Sequence, residues 1–172
     1  MASLMEELLD VLEKESTEYE ALLEISKRKT PVIVSGKIED LQDITDEEQV
    51  IVDRISHLDS KRETVTKDIA NVINKDVESL KLSVLIGLLD KQPAEQKRLA
   101  DVHDRLKTVV SDVRRINEQN RELIDHSLEM VQFDLNMIKA MNQAPETANY
   151  GPLATNSGEM LGTSKGSFDA KQ

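Results

Sequence analysis

Residues 93–142 read PAEQKRLADVHDRLKTVVSDVRRINEQNRELIDHSLEMVQFDLNMIKAMN. Pro93 suits a first helical turn, where its missing N–H has no bond to make. Beyond it, steps of three and four fall on Leu99, Val102, Leu106, Val109, Val113, Ile116, Asn120, Leu123, Ser127, Met130, Asp134, Met137 and Met141. Ten of these thirteen are apolar, and the three exceptions all lie in the second half. A 3-4 alternation keeps one stripe turned toward a partner helix. No further proline and no glycine interrupts the run, so it predicts a single helix of about 50 residues, roughly 75 Å long.

A second stripe runs through residues 37–74 on Leu41, Ile44, Glu48, Ile51, Ile55, Leu58, Arg62, Val65, Ile69 and Val72. Glu48 and Arg62 interrupt it, but long charged side chains can lay their stems on apolar surface and keep their heads wet. Upstream, Ser3 with Glu6 three residues on forms a capping box for a first helix. Its stripe is Leu4, Leu8, Val11, Leu12, Leu22, Leu23 and Ile25, and Lys27, Arg28 and Lys29 favour its C-terminal end. Pro31 is expected to end or kink it, with Val32, Ile33 and Val34 able to extend one more turn and Gly36 turning the chain into the next helix. Residues 77–90 are apolar without a clear period, which fits a short helix capping the end of a bundle. A strand is the alternative, and the chain offers it no partner strand.

The predicted fold class is all-α, with long antiparallel helices at 3–35, 37–74 and 93–142 forming a helical hairpin or three-helix coiled-coil bundle. Residues 1–142 make the bundle. Residues 143–172 hold four of the six glycines and two of the four prolines and show no periodicity, so they are expected to be a flexible tail. Two of the four aromatics, Tyr150 and Phe168, sit there as candidate anchors for a partner.

Composition narrows the function. The 172 residues include no Cys and no Trp, and 33 acids against 22 bases give a net charge of −11. Disulfide frameworks, zinc fingers and thiol nucleophiles are excluded. The longest apolar run, Val84 to Leu89, is far short of the roughly 20 residues a membrane helix needs, so direct membrane insertion is not expected. The acidic start MASLMEELLD is unlike a secretory or mitochondrial leader. The charge repels phosphate backbones, which argues against nucleic acid as a partner.

No catalytic or metal constellation is visible, and no cofactor is expected. His57, His103 and His126 have no histidine at helical spacing, and the residues three before them are Arg54, Ala100 and Leu123, not the Glu a di-metal bundle uses. No glycine-rich phosphate loop follows a strand, and Gly-X-Ser-X-Gly is absent.

Two features stay open between an internal and an external role. Asn117 and Asn120 are either a polar layer fixing register inside the bundle or hydrogen-bonding positions in a groove for another protein. Met130, Met137 and Met141 are either core or an adaptable surface for apolar helices. Length favours the surface: the third long helix exceeds the second by a dozen residues, on the order of 18 Å of helix without a full partner.

Several stretches resemble the FlgN-like flagellar export chaperones. They are Leu8-Leu9-Asp10-Val11-Leu12-Glu13-Lys14-Glu15 with Tyr19 and Leu22-Leu23, and Ser35-Gly36-Lys37-Ile38-Glu39-Asp40-Leu41, followed by Glu48 and Arg62. Arg115-Ile116-Asn117-Glu118-Gln119-Asn120-Arg121-Glu122-Leu123-Ile124 is similar to the family's Ile-Asn-x-x-Asn-x-x-Leu segment, and Ser167-Phe168-Asp169-Ala170-Lys171 to a short terminal motif of some members. Pro31 departs from the pattern. The resemblance implies a cytoplasmic chaperone that is not an enzyme. It binds the C-terminal amphipathic helices of hook-associated proteins, prevents their premature self-association and delivers them to the cytoplasmic domain of an export-gate membrane protein. It implies a client groove over Ile116, Asn117, Asn120, Leu123, Ile124, Met130, Met137, Ile138 and Met141, and gate docking through Tyr150, with Phe168 as a tail anchor. A self-associating structural coiled coil without a client is the alternative.

Overall fold

The structure is a computed structural model and describes residues 2–90 and 92–143. The chain divides into two compact units, Met1–Phe133 and Asp134–Gln172. Four helices are formed among the described residues: α1 (Ala2–Ser35), α2 (Ile38–Ile73), α3 (Leu82–Leu88) and α4 (Pro93–Gln143), with one 3-10 turn at Val77–Ser79. No described residue is in a strand. The fold is an all-α helical bundle. The expected tail, residues 143–172, lies outside the described residues except for Gln143, as do Tyr150 and Phe168.

Within the first unit, α1 and α2 form an antiparallel hairpin closed by Gly36. Gly36 has φ 68°, the left-handed conformation that ends helices at little steric cost, and its N–H donates to the Ile33 carbonyl at 3.1 Å. Pro31 does not end α1: one further turn through Val32, Ile33 and Val34 forms, and the helix runs on to Ser35. A proline leaves the carbonyl four residues back, here that of Lys27, without its helical partner. Both Lys27 and Pro31 are exposed, so water can serve that carbonyl. Ser3 lies inside the first turn of α1 rather than before it, because the helix already starts at Ala2.

α4 returns alongside α1 in the same direction, since Arg98 meets Glu13 at 3.0 Å and Arg105 meets Glu20 at 3.1 Å. The connection from Asn74 to Gln92 reverses the chain at one end of the hairpin. Asn74, with φ 53°, ends α2 by the same left-handed device as Gly36. Leu80, Leu85 and Leu89 from this connection are buried in a core with Leu8, Leu9 and Leu12 of α1, Ile69 and Ala70 of α2, and Leu99 and Val102 of α4. A second core lies further along the hairpin, built on Leu22, Ile25, Ile44, Ile51, Ile55 and Val113. Burying each large aliphatic side chain contributes roughly 1.5–3 kcal/mol, and this packing rather than helix propensity holds the long helices together.

The two charged interruptions of the α2 stripe are ion pairs across the hairpin. Glu48 accepts from Lys29 at 2.6 Å, both largely shielded from water. Arg62 donates Nε to Glu15 Oε1 at 3.0 Å and bonds Asp59 through a second nitrogen. Glu15 is buried at 4% exposure. Burial pushes its carboxyl above the usual range, against the pull of the Arg62 charge. The Arg62 guanidinium is raised too: burial acts against its charge, but Glu15 and Asp59 outweigh that.

A carboxyl raised in the folded state contributes stability below its ordinary pKa and loses it as pH rises through the raised value. At neutral pH the Glu15 charge therefore depends on Arg62. The substitution Arg62→Met is expected to destabilise the chain by about 2 kcal/mol at about pH 7, and by clearly less at about pH 4, where Glu15 can be neutral. Urea unfolding at the two pH values measures this.

Candidate functional site

Asn120 marks a change along α4. Its amide Nδ2 donates to the Ser26 carbonyl at 2.9 Å, and its Oδ1 accepts from the Thr30 hydroxyl at 2.7 Å. The side chain is 4% exposed, against α1. Before it, Leu99, Val102, Val109 and Val113 are buried; after it, no described apolar residue of α4 is. Leu123 and Ile124 are half-buried, and Leu128 (62%), Met130 (69%), Val131 and Phe133 stand exposed.

The residues read from the sequence as one groove are thus not one face. Ile116 is half-buried and Asn117 exposed, while Asn120 is engaged by the chain's own α1. The reason is the helical period. A straight α-helix drifts about 20° per heptad from a strict 3-4 repeat, so by Met130 the stripe that begins at Leu99 has turned roughly 90°. Ile124, Ser127, Leu128 and Val131, at i, i+3, i+4 and i+7, take over the side facing the hairpin.

There the first unit opens into an apolar cleft of about 220 Å³. Val32 and Ile33 from the end of α1, Gly36 and Lys37 from the turn, and Ile38 and Leu41 from the start of α2 form one wall. Ile124, Ser127, Leu128 and Val131 of α4 form the other. Ile38 is 78% exposed at its rim. Of these, only Ile124 stood among the groove residues expected from the sequence. Leu128 and Val131 were findable by reading the second half of α4 at 3.6 residues per turn instead of 3.5.

By helical geometry Phe133 lies nearly opposite the cleft and Met130 to one side of it. In the described part of the second unit, taken by itself, Leu135, Ile138, Met141 and Met137 follow one another at steps of three and four around the helix, and all four are exposed. They make one broad apolar stripe.

Nothing in the region is arranged for bond chemistry. The cleft's polar side chains are one lysine and one serine. The raised Glu15 and the Tyr19 hydroxyl, raised by burial and by the Glu15 charge, belong to the middle of the bundle. No group of three His, Asp or Glu among the described residues could hold a metal ion, and no described helix is long and apolar enough to cross a membrane. The arrangement can bury apolar side chains of another segment.

Core and site separate by their effect on stability. Leu99→Ala, at 0% exposure, is expected to cost about 2–5 kcal/mol, whereas Leu128→Ala is expected to stay within about 0.5 kcal/mol of the parent. Thermal and urea unfolding of the two variants check the contrast.

Compared with models of known families, residues 1–158 match the one described as FlgN protein. No curated protein and no solved structure matches the chain.

Proposed function

The chain belongs to the FlgN family, a family of flagellar export chaperones acting in flagellar assembly and type III export, and from that premise we propose that it shields the C-terminal amphipathic helices of hook-associated proteins and carries them to the export gate. It does so in the cytoplasm, without catalysis. The observation that supports this reading is the exposed apolar side chains of α4: Leu128, Met130, Val131 and Phe133 in the first unit, and Leu135, Met137, Ile138 and Met141 in the second. Exposed apolar surface of this kind marks an interaction site.

The mechanism follows from elementary energetics. A client helix that will later pack inside a filament carries an unprotected apolar face while it waits. Unshielded, that face associates with copies of itself. Laid against α4 it is covered reversibly, with anchors at i, i+3, i+4 and i+7. About 600 Å² of apolar area per side, about 1,200 Å² in all, at about 25 cal/mol per Å² gives on the order of 30 kcal/mol of gross driving force. Rigid-body and side-chain ordering remove most of it, leaving an affinity low enough for handover.

In this reading Ile116, Asn117, Leu123, Ile124, Met130, Met137, Ile138 and Met141 contact the client. The thioethers adapt to clients of different sequence. Asn120 orients α4 from inside the bundle instead. Residues 1–142 form the client-binding part, and residues 143–172 serve the gate, with Tyr150 as the docking residue and Phe168 as an anchor.

Calorimetry with a synthetic C-terminal peptide of a hook-associated protein tests the proposal. Binding is expected, and the double variant Met137→Glu/Met141→Glu is expected to weaken it about tenfold or more with unchanged melting, since both side chains are exposed. Absence of binding, or unchanged affinity in the variant, contradicts the reading. A stable tetramer by light scattering supports the self-associating coiled coil in its place.

A further inference from the structure

The cleft between the hairpin turn and α4 has a second property besides being apolar: its surroundings are strongly acidic. Residues 30–46 and 117–133, which contain both walls, carry eight acids against Lys37 and Arg121, a net charge of −6 with histidine neutral. All ten side chains are exposed. Lys37 lies 3.9 Å from Asp40, and His126 lies 3.6 Å from Glu129. Glu39, Asp43, Asp46, Glu118, Glu122 and Asp125 form no ion pair among the described residues. Further from the cleft the acids of α1 and α2 are commonly paired, as in Arg28–Glu47, Lys29–Glu48 and Arg54–Glu18. Ion pairs are thus denser along α1 and α2 than at the cleft, although Glu6, Asp53, Glu63 and Asp68 also form none among the described residues, and six acids without one surround the open apolar surface.

We infer that this cleft is the anchor pocket for a basic amphipathic helix of another protein, one whose apolar residues at i, i+3 or i+4 and i+7 are flanked by Lys or Arg. The inference rests on the chaperone reading and adds where the client's anchors sit and what charge they carry. Apolar anchors enter between Ile38 and Leu128, and the flanking cations meet the acidic rim. Such complementarity steers encounter and selects partner and orientation more than it adds affinity. A second copy of this chain is the wrong occupant, because two such rims repel. Residues 144–172 of the chain are wrong too, since their three acids and two bases bring no net positive charge.

The test uses the full chain and two synthetic helical peptides with identical leucine anchors, one flanked by lysines and one by glutamates. A scrambled lysine peptide of the same composition is the control. Fluorescence anisotropy at low salt is expected to show the lysine peptide binding about tenfold or more tighter than the glutamate peptide. That advantage should largely vanish at about 1 M salt, where charges are screened within about 3 Å. Ile38→Gln/Leu128→Gln should weaken the lysine peptide at both salt concentrations. Asp43→Asn/Asp125→Asn should shrink its advantage only at low salt, with melting unchanged in both variants.

Equal affinity for the two amphipathic peptides overturns the inference. So does equal binding of the scrambled peptide, which reduces the effect to diffuse attraction. A dimer of the chain alone that Ile38→Gln/Leu128→Gln dissociates also overturns it, because a second copy then fills the cleft. If neither amphipathic peptide binds while a hook-associated C-terminal peptide does, the inference fails and the chaperone reading stands. If none of them binds, the chaperone reading itself fails.

Discussion

The contact between the Asn120 amide and the Ser26 carbonyl, with Thr30 completing the pair, governs the rest of the molecule. A buried amide is stable only with its hydrogen bonds made, so α4 can lie on α1 in just one register and one rotation. That rotation places Leu99, Val102, Val109 and Val113 in the core. It also aims Leu128 and Val131 at the turn end of the hairpin rather than into its middle. Core and cleft are two consequences of one orientation.

Charge is organised around the same orientation. Where α1, α2 and α4 are in contact, acids and bases meet across them: Glu15 with Arg62, Glu18 with Arg54, Glu13 with Arg98, Glu20 with Arg105. Most of these pairs are exposed, and each contributes little to stability. Their value lies in direction, since mismatched registers would oppose like charges. Around the cleft this pairing thins, and six of the eight acids there form no ion pair among the described residues.

Much of the fold was legible in the sequence. The 41–72 stripe, the Gly36 turn and the Pro93 start each follow from local rules about period, left-handed glycine and first-turn proline. Even Glu48 and Arg62, which break the stripe, were readable as charged residues lying on apolar surface; their partners Lys29 and Glu15 were not, because pairing across a hairpin depends on its register. Pro31 does not stop α1, since a single missing bond on a solvated face is tolerated inside a well-packed helix, and the further turn through Val32, Ile33 and Val34 forms as the sequence allows. The cleft was legible only at Ile124. Its walls come from residues 32–41 and 124–131, far apart in sequence, and a heptad count drifts along a straight helix until it follows a face turned from the cleft. Tyr150 and Phe168 stand on resemblance and composition alone.

The central claim is that α4 beyond Asn120 carries apolar surface meant for a partner. Amide hydrogen exchange of the full chain, with and without a hook-associated C-terminal peptide, tests it directly. The account predicts fast exchange in residues 124–143 of the free chain, and new protection on adding the peptide in that segment and in residues 32–41. Protection of residues 124–143 already in the free chain, or new protection confined to the middle of the hairpin, would contradict it.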